Sequence, residues 1–175
     1  MRVYPLSESI EMKHLYLVRH AKSSWKNRSL DDIQRPLNKR GLRNAPDMAS
    51  RLEQNATSVD LIISSPAKRA ITTATYLALS IDYELEKIRQ HQQLYFGGSS
   101  SMLTIINNTN TLVQSLMLVG HNPDMTSLLN NLCGYQTDNM PTCAIAKISF
   151  PKEWSEIDFN DGFIEHYDFP KNNNN

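Results

Sequence analysis

The sequence predicts a three-layer α/β sandwich, with helices on both faces of a mixed, mainly parallel sheet. Three observations carry that expectation. Apolar, β-branched runs alternate with stretches of helical periodicity along most of the 175 residues. Two of those runs lead directly into a helix-start signal, Ser65-Pro66 and Asn122-Pro123. The segment after the first run, residues 20–37, is polar and long, and compact domains keep loops beyond about 12–15 residues mainly for function.

The first strand is His14-Leu-Tyr-Leu-Val-Arg19, an apolar run that reads as buried. After the polar loop, Leu42, Ala45, Met48, Ala49 and Leu52 fall on one face of a helix from about Asn38 to Gln54. Pro46 lacks a backbone donor, so it either kinks this helix or marks its first turn. Asp60–Ser64 is the second strand. Ser65-Pro66 then opens a helix to about Ser80, with Ser accepting from the free amides and Pro suited to the first helical position. A weaker strand covers Lys87–Gln92 and a short helix Ser99–Asn107. Ser115–Gly120 is the fourth strand, and the helix after Asn122-Pro123 ends near Cys133-Gly134. Two late strands, Cys143–Phe150 and Gly162–Asp168, read as the sheet's edge. Residues 1–12 read as an N-terminal extension, 13–170 as one domain, and 171–175 as a polar, disordered tail.

Composition narrows the partners. Lys plus Arg and Asp plus Glu both number 18, so no global field draws the chain to nucleic acid or to a membrane. The charges are unevenly placed, however: residues 1–50 hold ten Lys/Arg against five Asp/Glu, which marks the first third as a candidate anion-facing region. Cys133 and Cys143 sit in apolar surroundings and read as small core residues rather than metal ligands or a disulfide. No apolar stretch reaches the roughly 18 residues of a membrane span, and the start has no signal-peptide character, so the cytoplasm is the expected location.

Three strands end in residues with chemistry: Arg19-His20, Ser64-Ser65-Pro66 with Arg69 beyond it, and His121. Ligands of parallel α/β sheets bind outside the carboxyl ends of the strands, so these residues are expected at one edge. The helix starts near Ser65 and Asn122 add positive dipole ends there. Two histidines among arginines suit a phosphoryl group, whereas a zinc site would need a third or fourth ligand that these positions lack. An isolated histidine is more often structural, and His14 and His166, both in strands, read that way. Arg40, Arg43 and Lys68 read as surface, and Trp25 as an anchor of its loop.

The stretch Leu17-Val-Arg-His-Ala-Lys-Ser-Ser-Trp25 resembles the Arg-His-Gly signature of the histidine phosphatase superfamily, in the form found among SixA-like phosphohistidine phosphatases. Arg35-Pro-Leu-Asn-Lys-Arg-Gly41, Asp60-Leu-Ile-Ile-Ser-Ser-Pro-Ala-Lys-Arg-Ala70, Leu94-Tyr95 and Val119-Gly-His-Asn-Pro123 fit the same branch, in order, from about His14 to Phe150. The resemblance implies a phosphoglycerate mutase-like fold and a metal-independent phosphatase that needs no cofactor. It implies that His20 is the nucleophile, that Arg19 and Arg69 bind the phosphoryl oxygens, and that His121 donates to them. Arg35 matches a further pocket arginine, and Ser23 a small hydroxyl position of the loop.

One departure bears on substrate. Many superfamily members carry an acid after the third strand, yet His91-Gln-Gln-Leu-Tyr-Phe-Gly-Gly98 has no carboxylate. Alkoxides need such an acid, since their alcohols ionise near ~15.7, like water, while imidazole protonates near ~6.5 and departs readily. The expected substrate is therefore phosphohistidine on a phosphotransfer domain or phosphocarrier protein. Asp31, Asp32 and His91 remain as other sources of a proton. A small-molecule phosphomonoesterase is the first alternative, and a non-catalytic module binding phosphorylated partners the second. A monomer is the expected state.

Overall fold

The computed structural model describes residues 11–172. The expectations for residues 1–10 and 173–175 lie outside the described residues. Among those described, six strands form one sheet in the order β3-β2-β4-β1-β5-β6. They are β1 (Lys13–Arg19), β2 (Leu61–Ser64), β3 (Arg89–Gln90), β4 (Ser115–Gly120), β5 (Ile145–Phe150) and β6 (Phe163–Asp168). The first four run parallel; β5 pairs antiparallel with β1, and β6 pairs antiparallel with β5. The helices are α1 (Lys39–Gln54), α2 (Lys68–Ser80), α3 (Ser99–Asn107) and α4 (Asp124–Cys133).

Strand side chains alternate between faces, and that alternation builds the three layers. Leu15, Leu17, Leu116 and Leu118 pack against Met102, Ile105 and Ile106 of α3 and Met125, Leu128, Leu129 and Leu132 of α4. The intervening Tyr16, Val18, Met117 and Val119 pack against Ala45, Met48, Ala49 and Leu52 of α1 and Ala70, Ala74 and Leu77 of α2. The expected α/β sandwich with a mainly parallel sheet is the observed one.

Several local expectations are corrected. Leu42 does not face the core but is 47% exposed. Gly41 takes the buried position in that turn, because α1 lies flush on the backbone of Lys22 there. Pro46 lies well inside α1, which Asn38 caps by accepting from the Gly41 amide. Ser65-Pro66 precedes α2 without capping it, since the helix begins at Lys68 and Ser65 Oγ accepts from Ala67 N. Asn122 likewise does not cap α4; its amide donates to Asn139 and to the Met140 carbonyl. Of the two late strands only β6 is an edge, because β5 pairs with β1 as well. Cys143 is fully buried, whereas Cys133 is only partly so.

Candidate active site

Strands β1 and β4 pair in parallel with Arg19 opposite Gly120, so both chains leave the sheet at one level. His20 and His121 follow, and their rings stand 4.9 Å apart. The His20 amide donates to the Gly120 carbonyl at 3.0 Å and the Ser65 amide to the Val119 carbonyl at 2.8 Å. Helix α2 then fixes the His20–Ala21 turn: Thr73 Oγ1 accepts from Ala21 N at 3.0 Å and donates to the Arg69 carbonyl at 2.7 Å. One residue thus ties the turn to the helix that carries Arg69.

The polar loop 20–37 folds back on itself. Ser23 bridges Leu37, and Ser24 N donates to the Pro36 carbonyl at 2.8 Å. This brings Arg35 against Ser23, to whose Oγ its Nη2 donates at 2.6 Å. Its Nε donates to the Ser24 carbonyl at 3.0 Å. Trp25, 69% exposed, lays its ring 3.2 Å from the Arg35 guanidinium carbon. The tryptophan is therefore a loop anchor, as expected, and what it anchors is an arginine.

Asp32 was legible in the sequence only as a possible proton source, and its surroundings assign it otherwise. One carboxylate oxygen accepts from Arg35 Nη1 at 2.6 Å. The other accepts from Arg69 Nη2 at 2.8 Å and from the Tyr95 hydroxyl at 2.7 Å. Burial pushes its pKa up, but hydrogen bonds from Tyr95, Arg35 and Arg69 hold it well below the usual carboxylate range. An ionised carboxylate has no proton to give. It aligns two guanidinium groups instead, in the strong geometry of charge-assisted hydrogen bonds. His91 is also removed as a proton source, because its Nδ1 accepts from Gln93 N and it lines a different cleft, beside β3.

The histidines are held neutral. His20 Nδ1 lies 2.6 Å from the Ala21 carbonyl, which can only accept, so Nδ1 carries the ring proton and Nε2 the lone pair. Burial lowers the His20 pKa to about 4; the Ala21 bond opposes this, and the charges of Arg69, Arg19 and Arg35 lower it further. Burial, then His20 and Arg69, bring His121 down to about 3. Imidazole 15N shifts are the check: at pH 5.5, where an unperturbed histidine is roughly 90% protonated, His20 should still report a neutral Nδ1–H tautomer. Both groups bind protons more weakly in the folded than in the unfolded chain. Their contribution to stability is therefore full above ~6.5 and drains away as pH falls toward 4.

All six residues singled out in the sequence, Arg19, His20, Ser23, Arg35, Arg69 and His121, line one cleft of about 250 Å³. Lys22 stands at its mouth, while Lys26 does not line it. Four cations against the single carboxylate of Asp32 make it an anion site. Two buried nitrogens, Arg19 Nε and His121 Nδ1, have no protein partner there. Arg19 is oriented by donating to the Met140 carbonyl at 2.7 Å, and His121 Nε2 shares a 2.7 Å hydrogen bond with Ser65 Oγ. Among the described residues no three His, Cys, Asp or Glu side chains gather as metal ligands would. No described helix is long and apolar enough to cross a membrane. A larger cleft, about 500 Å³, opens by His14, Tyr16 and Lys147 at the other end of β1, but it holds no guanidinium. Sequence reasoning missed Asp32 as a clamp, Tyr95 as its partner, and Phe96 on the cleft wall. An acid three residues before Arg35 was the available signal for the first, and the Leu94-Tyr95 pair for the second.

Comparison with known proteins agrees with this geometry. Residues 15–107 match the family model of the histidine phosphatase superfamily (branch 1). A SixA-type protein from Agrobacterium tumefaciens superposes with a TM-score of 0.75 at 27% identity, over 89% of this chain and 96% of that one. The protein histidine phosphatase SixA complexed with tungstate gives 0.77 at 22% identity, over 90% and 97%. An uncharacterized protein of Mycobacterium tuberculosis is 27% identical over 151 residues, 81% of this chain and 92% of the relative. With the Arg-His pair at the end of β1 and a second histidine beside it after β4, the chain belongs to the histidine phosphatase superfamily.

Proposed function

We propose that this protein is a phosphohistidine phosphatase in which His20 is the nucleophile. The observation that carries the reading is the Nδ1–H bond to the Ala21 carbonyl, which leaves Nε2 unprotonated in a cleft lined by three arginines. Arg19 and Arg69 bind the equatorial phosphoryl oxygens, with Arg35 and Ser23 at the loop side. With the Ser65 hydroxyl donating to His121 Nε2, the ring proton of His121 sits on the unpartnered Nδ1 and is available to the phosphoryl group.

The Nε2 lone pair forms the new N–P bond as the substrate's P–N bond breaks, returning its electron pair to the substrate nitrogen. A substrate ring protonated on its other nitrogen then departs as neutral imidazole, without an enzyme acid. In the second step a water oxygen bonds to phosphorus, the P–Nε2 pair returns to His20, and both of the water's protons leave on the phosphate, as dihydrogen phosphate. Asp32 is ionised and bound by both arginines, so a carboxylic acid for an alkoxide leaving group is missing from the described cleft. The tungstate held by the structurally similar SixA is an oxyanion of the kind this cationic cleft suits. Exposed Trp25 and Phe96 on its rim leave it open to a side chain carried on a protein surface.

The test is phosphate release from a phosphorylated histidine-containing phosphocarrier, with EDTA present, beside release from a small sugar phosphate. Release from the phosphoprotein, with the ester slower by at least ~10²-fold, as expected for a missing general acid, supports the reading. Faster turnover of the ester selects the small-molecule phosphatase. Binding of the phosphoprotein with no release from either selects the non-catalytic module.

A further inference from the structure

The turn Tyr95–Gly98 holds an unusual residue. Phe96 adopts φ +58, the left-handed region that a bulky side chain enters only at a steric cost. Glycines stand immediately beside it at 97 and 98, so the turn is not short of flexible residues, yet the strained place is given to phenylalanine. The turn is pinned around it. Tyr95 N donates to the Gln92 carbonyl at 2.9 Å, Gly97 N to Gln93 at 3.1 Å, and Gly98 N to the Asp124 carboxylate at 2.9 Å. A side chain at Gly97 would collide with the Gln93 carbonyl, so this close approach holds position 97 to glycine.

Core packing does not account for this placement, because Phe96 is 51% exposed. Its ring lies on the cleft wall, 5.0 Å from the His121 ring and tilted 32° to it, and 4.8 Å from Tyr95. Ring-to-ring steps of 4.9 and 5.0 Å link His20 through His121 to Phe96. In an in-line displacement the leaving group points away from the nucleophile, and Phe96 is an exposed part of the wall of the cleft it leaves. Strained residues that structure over-determines concentrate at ligand sites, and an aromatic face at 4.5–7 Å attracts another planar ring. A protonated imidazole ring gains a cation–π attraction besides.

We propose that Phe96 is a specificity-determining residue, whose ring packs against the planar nitrogen heterocycle of the leaving group. The proposal rests on the phosphohistidine phosphatase reading and names the part of the cleft that reads its substrate. The step is the displacement already written, with a heteroaromatic nitrogen taking back the P–N electron pair.

Two small substrates isolate the effect, N-phosphoimidazole and phosphoramidate. Both break a P–N bond, but only the first releases an aromatic ring. Phe96→Gly should lower kcat/KM for N-phosphoimidazole about 5- to 10-fold, the size of one aromatic contact, and change phosphoramidate turnover by less than about twofold. Phe96→Leu, which keeps apolar area but no π face, should fall between. Phe96→Gly should also melt about 2–4 °C above Phe96→Ala, because only glycine releases the backbone. Equal losses on both substrates, or none, would overturn the assignment while leaving the phosphatase reading intact. So would a Gly variant that melts no higher than the Ala variant. A wild-type protein inert on both substrates would instead remove the phosphatase reading itself.

Discussion

His20→Ala is expected to abolish both phosphate release and the acid-labile, base-stable phosphoenzyme, with turnover falling by at least ~10³-fold, as when a covalent nucleophile is lost. The geometry leaves no substitute. His121 is the nearest imidazole, but its Nε2 is engaged with Ser65 Oγ. The fold should tolerate the change, because the deleted ring makes one hydrogen bond, to its neighbour Ala21, and is surrounded by cations rather than by core. Binding of phosphate or tungstate should therefore survive, since Arg19, Arg35 and Arg69 keep their own supports at Met140, Ser23 and Asp32. His121→Asn makes the complementary case. Loss of one donor to the transition state costs about 10²–10³-fold, so the variant should be slow but still labelled on His20. A His20→Ala protein that retained label would place the nucleophile elsewhere and undo the mechanism.

Most of the site was legible because its parts sit at strand ends. An apolar run followed by Arg-His places both residues at the sheet edge whatever the rest of the chain does, and the same holds for Gly120-His121. The strand β4 and the helix α3 match their expected bounds for similar reasons, each being a clean periodic segment between turn residues. Errors gathered where tertiary contact overrides local signal. Leu42 looked like core by spacing and is exposed, because the close approach of α1 to the loop turns Gly41 inward instead. Ser65 looked like a helix cap and is the hydrogen-bond partner of His121, 56 residues away. Asp32 and Tyr95 are 63 residues apart, and although the spacing to Arg35 and the Leu94-Tyr95 pair mark each one separately, neither signal joins them into the clamp they form with two arginines. The conformation of Phe96 was equally invisible, since sequence rules expect glycine wherever φ is positive.

Gly41→Ala should destabilise the protein by about 2 kcal/mol or more and lower its melting temperature by at least ~4 °C. Helix propensity argues the other way, because alanine gains roughly 1 kcal/mol over glycine within a helix. Here that gain is outweighed. A Cβ on Gly41 would run into the Lys22 carbonyl oxygen, with Lys22 C and N both at 3.1 Å. These are backbone atoms and cannot rotate aside. The same carbonyl accepts from Asn38 N at 2.9 Å, so the helix cannot back away without breaking the contact that seats its first turn on the loop. The damage should reach the chemistry as well. Lys22 is followed by Ser23, which carries the Arg35 guanidinium, and Arg35 shares Asp32 with Arg69. A shift of about 1 Å in a supporting segment costs on the order of 10²-fold in rate, so kcat/KM should fall together with the melting temperature. Thermal unfolding and turnover of the one variant decide between the two forces: a protein that melts higher and works normally would show that α1 does not lie flush on the loop, and that Arg35 is held by something other than this seat.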